Sequence, residues 1–347
     1  MTGPLSGLKV LELGGLGAVP FAGMMLADLG ADVLVADRPG TPAAVRDDPL
    51  RRGKVASELD LKSPGGRDHV LALVRGHDIL LEGFRPGVTE RMGLGPKDCH
   101  AVAPALVYGR MTGYGQVGPL AAVAGHDINF ISMAGVLAHV GSVDRPPTLP
   151  LNLIADYAGG GMLLAFGVLA ALRRSAATGK GDVVDAAMVD GASLLMTPFH
   201  AMVARGEWSL ARGTNAWDGG APYVQVYETK DHRYISVGAV EAHFYAALVS
   251  TLGMTEQEAY PQEDSGAWPA RSARMAAIFG TRTRDEWVSA FDGIDACMTP
   301  VLDLLEASAH AHARARTAFV ERDGIVLPAS APRFLSDVDT PADPARA

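Results

Sequence analysis

Residues 8–36 read LKVLELGGLGAVPFAGMMLADLGADVLVA. Two short apolar runs, Leu8–Leu13 and Asp32–Ala36, flank a longer stretch, Pro20–Leu29, which Gly30 closes. Short apolar runs are typical of buried β-strands, and the longer stretch between them is typical of a helix. This segment therefore predicts a strand–helix–strand unit in which the two strands are parallel.

The same alternation continues through the N-terminal third of the chain. Gly65–Val74 predicts a helix, Ile79–Leu81 predicts the start of another strand, and Ala105–Arg110 predicts a further strand. Short strands that alternate with helices are typical of an α/β fold with a doubly wound, mostly parallel, Rossmann-like sheet. A long helix is then expected from about Gly160 to Arg174.

A second, smaller unit follows a change of composition at residues 214–222 (TNAWDGGAP). Tyr223–Tyr227 and Tyr234–Val237 predict a hairpin, and Glu241–Leu252 and Ala267–Phe279 predict helices. We therefore expect a large α/β domain over residues 1–213, a small α+β domain over residues 222–305 and a C-terminal segment over residues 306–347 that returns to the large domain.

Composition narrows the class of protein. The 347 residues are 48% apolar and 20% charged, with a formal net charge of −9, which argues against a general nucleic-acid or membrane-surface binder. Cys99 and Cys297 indicate no disulfide framework, and no signal peptide is visible at the N-terminus. The longest apolar run, Met162–Leu172, is shorter than a membrane span requires. We expect a cytoplasmic protein with neither a membrane nor a nucleic acid as partner.

A glycine-rich turn, Gly15-Leu-Gly17-Ala-Val-Pro20, follows the first predicted strand, and Asp37 ends the second. The arrangement resembles a dinucleotide-binding fingerprint. In that fingerprint a third glycine allows close packing of helix and strand, and here this position is Pro20. Because proline suits the first turn of a helix, the turn predicts a helix start. An NAD(P)-dependent oxidoreductase remains an alternative.

Basic residues recur after the predicted strands, with Arg51, Arg52 and Lys54 expected in a loop. The other members of this set are Arg38, Lys62, Arg85 and Arg91. The loops after the strands of a doubly wound sheet meet at one edge, where ligands bind. The planar fork of arginine matches phosphate oxygens. The set predicts either a site for a phosphate-rich ligand or a group of solvated surface charges.

Three residues are candidates for acid/base chemistry: His126, Asp156 and Glu241. Histidine titrates near neutral pH, which suits a general base. Each residue also has a structural interpretation. His126 can cap or pack against a helix, Asp156 can be a helix N-cap, and Glu241 can be stabilised by a helix dipole. No metal site is predicted, since His310 and His312 have no third ligand nearby in the sequence.

Together these segments resemble the family III coenzyme A transferase superfamily, and within it the α-methylacyl-CoA racemase branch. The resemblance runs over nearly the whole chain. It rests on Pro4–Leu13, Leu29–Val33, Glu58–Lys62, Glu82–Val88, Arg91–Gly95, Gly125–Asn129, Gly179–Gly181, Asp185–Asp190, Tyr223 and Ala331–Phe334. The stretch Gly125–Asn129 (GHDIN) is the most specific, because it separates the racemases from the transferases.

The resemblance implies that His126 and Asp156 are the two acid/base residues and that Glu241 is the partner of the histidine. It implies contacts to coenzyme A and the thioester from Arg38, Leu59, Asp60, Leu61, Lys62, Gly83, Phe84, Arg85, Arg91, Gly125, Asp127, Ile128, Asn129 and Phe130. It also implies an interlocked homodimer, in which Glu241 can come from the partner chain. No separate cofactor is implied, because coenzyme A is part of the substrate.

The implied reaction interconverts the (R) and (S) forms of a 2-methylacyl-CoA, with backbone amides after His126 expected to stabilise an enolate. The nearest alternative is a family III transferase, in which Asp156 is a nucleophile that forms an acyl-enzyme anhydride. A non-catalytic acyl-CoA-binding protein is a further alternative. The acyl group stays open among fatty-acid, sterol side-chain and other branched acids.

Overall fold

The computed structural model describes residues 3–322 and 324–334. It contains two compact units. Among the described residues, the first comprises residues 3–134, Pro150–Met196, 320–322 and 324–334, and the second comprises Gly135–Leu149 and Thr197–Phe319. Compactness does not by itself define domain bounds, so the domain division expected from the sequence stays a prediction. Residues 335–347 of its C-terminal segment lie outside the described residues.

A six-stranded, fully parallel sheet forms the centre of the first unit, in the order β3-β2-β1-β4-β5-β6. The strands are β1 (Lys9–Leu13), β2 (Asp32–Asp37), β3 (Lys54–Glu58), β4 (Ile79–Glu82), β5 (Val107–Thr112) and β6 (Asp182–Ala187). The predicted parallel α/β fold is confirmed. The strand order reverses between β1 and β4, and ligands of open α/β sheets bind at such a reversal.

Helices cover both faces of this sheet. The helices of the first unit are α1 (Ala18–Asp28), α2 (Ala43–Arg46), α3 (Pro64–Val74), α4 (Val88–Arg91), α5 (Pro96–Val102), α6 (Asp127–Met133), α7 (Leu163–Thr178) and α8 (Met188–Leu195). Alternate residues of a strand enter different cores: Val10 packs in a cluster with α1 and α7, whereas Leu11 packs in a cluster with α3 and α5. The central strands are buried on both faces, which explains their continuous apolar sequences.

Two local predictions need correction. Lys54, expected in a loop, begins β3, an edge strand whose alternating pattern is weak because Val55 is 68% exposed. The long helix expected from about Gly160 is preceded by a π-helical turn, Leu153–Met162, and α7 begins only at Leu163. The wider turn is not visible in a pattern that distinguishes only helix from strand.

The second unit is α+β, as predicted. Its antiparallel sheet contains β7 (Val224–Glu228), β8 (Tyr234–Gly238) and β9 (Met298–Pro300), and the predicted hairpin is confirmed. Its helices are α9 (Thr197–Ala204), α10 (Ala242–Thr251), α11 (Glu256–Ala259), α12 (Trp268–Phe279), α13 (Arg284–Ala290), α14 (Leu304–Ala309) and α15 (Ala311–Ala315).

A two-stranded hairpin, β10 (Phe319–Arg322) and β11 (Ile325–Pro328), follows. Arg52 Nη1 donates to Pro328 O at 2.9 Å, which fastens this hairpin to the loop before β3.

One helical stretch, Leu153–Thr178, is long and apolar enough to cross a membrane by length and composition alone. The core helix of a globular protein passes the same test, so this is weak evidence. Leu164, Val168 and Ala171 of this stretch pack in the core against the sheet. The expectation of no membrane partner stays a prediction.

A buried ion pair joins β1 to β3 beneath α1. Lys54 Nζ lies 2.6 Å from Glu12 Oε2 and donates to Pro20 O at 2.8 Å, and the two side chains are 1% and 0% exposed. A Cβ on Gly23 would lie 2.0 Å from Glu12 Oε2, so the glycine makes room for the pair. A charge in such a place is tolerated only beside its partner.

The variant Lys54→Met should lower the free energy of unfolding by about 3–5 kcal/mol, because it leaves the Glu12 carboxylate buried without its cation. Urea denaturation measures this. The double variant Glu12→Leu/Lys54→Met should recover most of the loss, and Lys180→Met, at an exposed lysine, should change stability by less than about 0.5 kcal/mol. If Lys54→Met and the unsubstituted protein were equally stable, the stabilising role of the buried Lys54–Glu12 ion pair would be refuted.

Candidate active site

A cleft of about 550 Å³ lies at the edge of the sheet, at the reversal between β1 and β4. It is lined by residues that follow four strands: Gly14 and Gly15 after β1, Arg38 after β2, Leu59–Lys62 after β3 and Phe84 after β4. Segments that are remote in the sequence meet here because the carboxyl ends of parallel strands share one edge. The structure thus brings together Arg38, Leu59, Asp60, Leu61, Lys62 and Phe84.

Ion pairs separate the basic residues of this edge into two groups. Arg51 binds both oxygens of Asp37 at 2.5 Å, Arg52 binds Asp28, and Lys54 binds Glu12. Within residues 3–322 and 324–334, no hydrogen bond or ion pair engages four other basic side chains, which are those of Arg38, Lys62, Arg85 and Arg91. These four are exposed and remain available to an anionic ligand.

Asp37 occupies the place of the acidic residue that binds the ribose in dinucleotide-binding proteins. Its two carboxylate oxygens are both engaged by the Arg51 fork, and its side chain is 5% exposed. At the start of α1, Gly17 has a φ of 72° and Pro20 lies in the first turn, as the sequence predicted. The turn therefore lacks two features of an NAD(P) site: the third glycine and a free acidic residue.

A smaller cavity of about 240 Å³ lies beside the first. It is lined by Gly83–Pro86 after β4, by Thr112 at the end of β5 and the two residues that follow it, and by Gly125, His126 and Phe130. Phe84 lines both cavities. The turn after β4 is therefore shared between the basic cleft and the neighbourhood of His126.

His126 immediately precedes α6 and is its N-cap residue, so the structural interpretation of this position is correct for its backbone. The amide of His126 donates to Asn129 Oδ1 at 3.1 Å, and its carbonyl accepts from the amides of Asn129 and Phe130. The imidazole is exposed and lines the smaller cavity. Capping therefore holds the backbone in place while the ring faces open space.

Asp156 lies inside the π-helical turn rather than at an N-cap, so the capping interpretation is wrong. Its side chain is half-buried, and Asn152 Nδ2 donates to its Oδ2 at 3.1 Å. Burial is the main cause of a raised pKa for Asp156; the Asn152 hydrogen bond and the charge of His126 lower it, and the charge of Asp127 raises it. A carboxyl group with a raised pKa suits both donation and acceptance of a proton.

Three consecutive glycines explain how the π-helical turn packs. A Cβ on Gly159 would lie 2.7 Å from Ala192 N on α8, and a Cβ on Gly161 would lie 2.8 Å from Ala18 O on α1. A Cβ on Gly160 would lie 2.7 Å from Ala155 O in the turn itself. Side chains at these positions would push the turn away from α1 and α8 and would displace Asp156.

Asp127 joins the two candidate acid/base residues. Its Oδ2 accepts the amides of Ala155 at 2.7 Å and of Asp156 at 2.9 Å, and the residue is only 3% exposed. His126 precedes it directly in the chain, so this carboxylate ties the start of α6 to the turn that carries Asp156. The predicted contact of Asp127 with a thioester stays a prediction, and the buried side chain confines it to the backbone amide.

The remaining residues of the GHDIN stretch have distinct surroundings. Ile128 and Asn129 are exposed, and the ring of Phe130 packs edge-to-face on Tyr114 with centroids 4.9 Å apart. A Cβ on Gly125 would lie 2.7 Å from the Phe130 ring. The glycine before His126 is therefore required by packing as well as by access to the cavity.

A charged network that the sequence analysis missed supports the turn after β4. Arg110 Nε donates to Glu82 Oε1 at 2.8 Å and Arg110 Nη1 donates to Glu90 Oε1 at 2.7 Å, while Glu82 Oε2 accepts the Phe84 amide at 2.7 Å. Glu82, the last residue of β4, is the register partner of Arg110 on β5, where the predicted strand Ala105–Arg110 ends. Opposite charges at the ends of two adjacent buried strands were the signal that could have found this pair.

Glu241 is the N-cap residue of α10 in the second unit and is exposed. The glutamate therefore immediately precedes a helix, close to the first-turn place that the sequence predicted. Its predicted role as partner of His126 stays a prediction.

A model of CoA-transferase family III matches residues 5–346. The chain belongs to CoA-transferase family III. Human "Alpha-methylacyl-CoA racemase" is 42% identical over 343 residues, which are 98% of this chain and 88% of the human protein. "Acetyl-CoA:oxalate CoA-transferase" of Acetobacter aceti is 29% identical, over 98% of this chain and 91% of that protein. The resemblance drawn from the sequence motifs is confirmed.

Solved structures of CoA-transferase family III relatives confirm the fold as well. The crystal structure of a CAIB/BAIF family protein from Brucella suis is 26% identical, with a TM-score of 0.83 over 98% of this chain and 94% of that chain. The family includes both racemases and transferases by name. The choice between the two chemistries therefore depends on the residues of the site.

Proposed function

We propose that this protein is an α-methylacyl-CoA racemase, which interconverts (R)- and (S)-2-methylacyl-CoA thioesters. The observation that carries the proposal is that Asp127, the residue directly after His126, accepts the amide of Asp156 at 2.9 Å and so links the two candidate acid/base residues. The 42% identity to the human protein of that name supports it over nearly the whole chain.

Each group has a defined role in the proposed reaction. In one direction neutral His126 removes the α-proton, the electron pair of the C–H bond moves onto the thioester oxygen, and the carboxylic acid of Asp156 donates a proton to the opposite face. In the other direction the roles reverse. The amide of Asp127, in the first turn of α6, has no helical carbonyl to bind and is proposed to stabilise the enolate oxygen.

Coenzyme A is proposed to bind in the basic cleft. Arg38 lines the larger cavity, Lys62 lines it and a neighbouring basic cavity of about 540 Å³, and Arg91 lines the latter. Their free guanidinium and ammonium groups match phosphate oxygens. Binding energy from this remote part of the substrate then positions the acyl group near His126 without a separate cofactor.

The transferase alternative uses Asp156 as a nucleophile, which requires the ionised carboxylate. Transferase chemistry has no evident need for His126, which lines the smaller cavity. The oxidoreductase alternative is disfavoured because Arg51 occupies both oxygens of Asp37. A non-catalytic acyl-CoA-binding protein would have no need of either His126 or Asp156.

Incubation of the protein with one enantiomer of a 2-methylacyl-CoA in deuterated water, without an acceptor acid, should give racemisation with uptake of α-deuterium. His126→Ala and Asp156→Ala should each lower the rate by roughly 10²–10⁴-fold, because each removes one proton carrier. Chiral chromatography and mass spectrometry measure both quantities. Movement of coenzyme A to an added acid, with no exchange at the α-carbon, would establish the transferase instead.

Arg38→Ala should raise KM for the acyl-CoA about tenfold and leave kcat unchanged, since it removes a charge-assisted contact remote from the reacting carbon. The matched control is Arg75→Ala, because Arg75 is exposed just after α3, away from the ligand-binding edge. Steady-state kinetics of both variants test this. A fall in kcat at unchanged KM would remove Arg38 from the binding cleft.

We further propose that the protein is a cytoplasmic homodimer in branched acyl-CoA and fatty-acid metabolism, in which Glu241 of the partner subunit supports His126. Large apolar side chains that are exposed on the single chain suit a dimer interface. Examples are Phe166 at 72%, Leu194 at 61% and Leu304 at 89% exposure.

Subunit mixing tests the origin of the glutamate. The separate variants His126→Ala and Glu241→Ala should each be nearly inactive. Their co-expressed mixture should recover about a quarter of the sites, because half of the dimers are mixed and each mixed dimer has one intact site of two. No recovery in a preparation shown to contain mixed dimers would place Glu241 in the same chain as its histidine.

A further inference from the structure

The buried carboxylate of Asp127 has an unusual set of partners. One oxygen, Oδ2, accepts two consecutive amides, those of Ala155 and Asp156. The other oxygen, Oδ1, is buried and has no hydrogen-bond partner among the described residues. The carboxylate thus fixes the start of α6 against the turn that carries Asp156.

We infer that Asp127 is a positioning residue for the reaction, which holds Asp156 at a set distance from His126 and acts by its charge to keep Asp156 able to carry a proton. This inference rests on the proposed racemase function. It assigns Asp127 a role through its side chain, in addition to any contact that its backbone amide makes.

The geometry supports the positioning role. Asp127 lies between His126 and Phe130 at the start of α6, where the Asn129 side chain also binds the His126 amide. His126 is linked to Asp156 through the side chain of the next residue, Asp127, whose Oδ2 accepts the amides of Ala155 at 2.7 Å and of Asp156 at 2.9 Å. Hydrogen bonds from amides to an ionised carboxylate are stronger than neutral ones. A displacement of about 1 Å at such a site costs roughly 10²-fold in rate.

Because Oδ1 of Asp127 has no hydrogen-bond partner among the described residues, the charge of the carboxylate can be removed while Oδ2 still accepts both amides. A single oxygen accepts both amides, so the neutral carbonyl of an asparagine can accept the same two amides through weaker hydrogen bonds. The negative charge of Asp127 is not required for these two hydrogen bonds, so its effect on Asp156 is separate from them. Near Asp156, a like charge disfavours the carboxylate and favours the acid.

Few other charges act on Asp156. Burial is the main cause of its raised pKa, followed by the lowering effect of the Asn152 hydrogen bond, the raising effect of Asp127 and the lowering effect of His126. The elements packed against the π-helical turn are α1, α6, α7, α8 and β6. Apart from Asp127, their charged residues are Asp28 at the far end of α1, Arg173 and Arg174 in α7, Asp182 and Asp185 on β6, and Asp190 on α8.

The test is the pH profile of kcat/KM for racemisation, whose acid limb reports the second proton taken up by the His126–Asp156 pair. Asp127→Asn keeps both amide bonds and removes the charge, which lowers the pKa of Asp156, so the acid limb should move to lower pH. Asn152→Ala removes the donor that lowers this pKa, so the limb should move to higher pH. Asp127→Ala removes both the amide hydrogen bonds and the negative charge. It should lower kcat roughly 100-fold, with KM changed little.

Asp68→Asn is the matched control, because Asp68 is exposed on α3, which packs on the opposite face of the sheet from α7. It should leave the profile unchanged. An unmoved acid limb in Asp127→Asn, alongside lower stability, would show a merely structural residue and overturn the inference. If that variant does not fold, Asp127→Glu decides, because it keeps the charge and displaces the two amide hydrogen bonds; a kcat equal to that of the unsubstituted protein would overturn the inference. Absence of racemisation by the unsubstituted protein would instead refute the proposed function itself.

Discussion

The pairing of β1 with β2 on one side and with β4 on the other is the constraint on which the site depends. It reverses the strand order at one point of the sheet. The turns after β1 and β4 therefore diverge and leave a cleft between them. The segments after β2 and β3 extend this cleft towards Arg38 and Lys62, and the turn after β4 extends it towards His126. One topological feature thus positions both the anion-binding and the proposed reacting ends.

The ion pairs within the protein then determine which basic side chains remain free in the cleft. The protein neutralises Lys54, Arg51 and Arg110 with carboxylates of its own. These pairs support the strands and turns, and they leave a different set of cations exposed at the edge. The same principle acts at the proposed acid/base pair, where the buried carboxylate of Asp127 accepts two backbone amides and its charge raises the pKa of Asp156. Paired charges stabilise the strands and turns of the site, and the free charges are those proposed to contact the ligand.

Much of this arrangement could be predicted from local pattern. Strand–helix alternation predicted the parallel sheet because the strands of a sheet that helices cover on both faces have continuous apolar sequences. Edge strand β3 was missed because Val55 faces solvent, so its apolar pattern is weak. The π-helical turn around Asp156 was missed because its cause lies in close contacts of Gly159 and Gly161 with α8 and α1, which no local window contains.

The sequence by itself determined the fold class, the membership in CoA-transferase family III and the identity of His126 and Asp156 as candidates. It did so because periodicity reports burial and because GHDIN is a specific motif. Only the tertiary structure decided which cations are free, that Asp37 is occupied by Arg51, and that Asp127 binds the amide of Asp156 rather than facing the cleft. Those outcomes depend on distances between segments far apart in the chain, and such distances exist only once the sheet has formed.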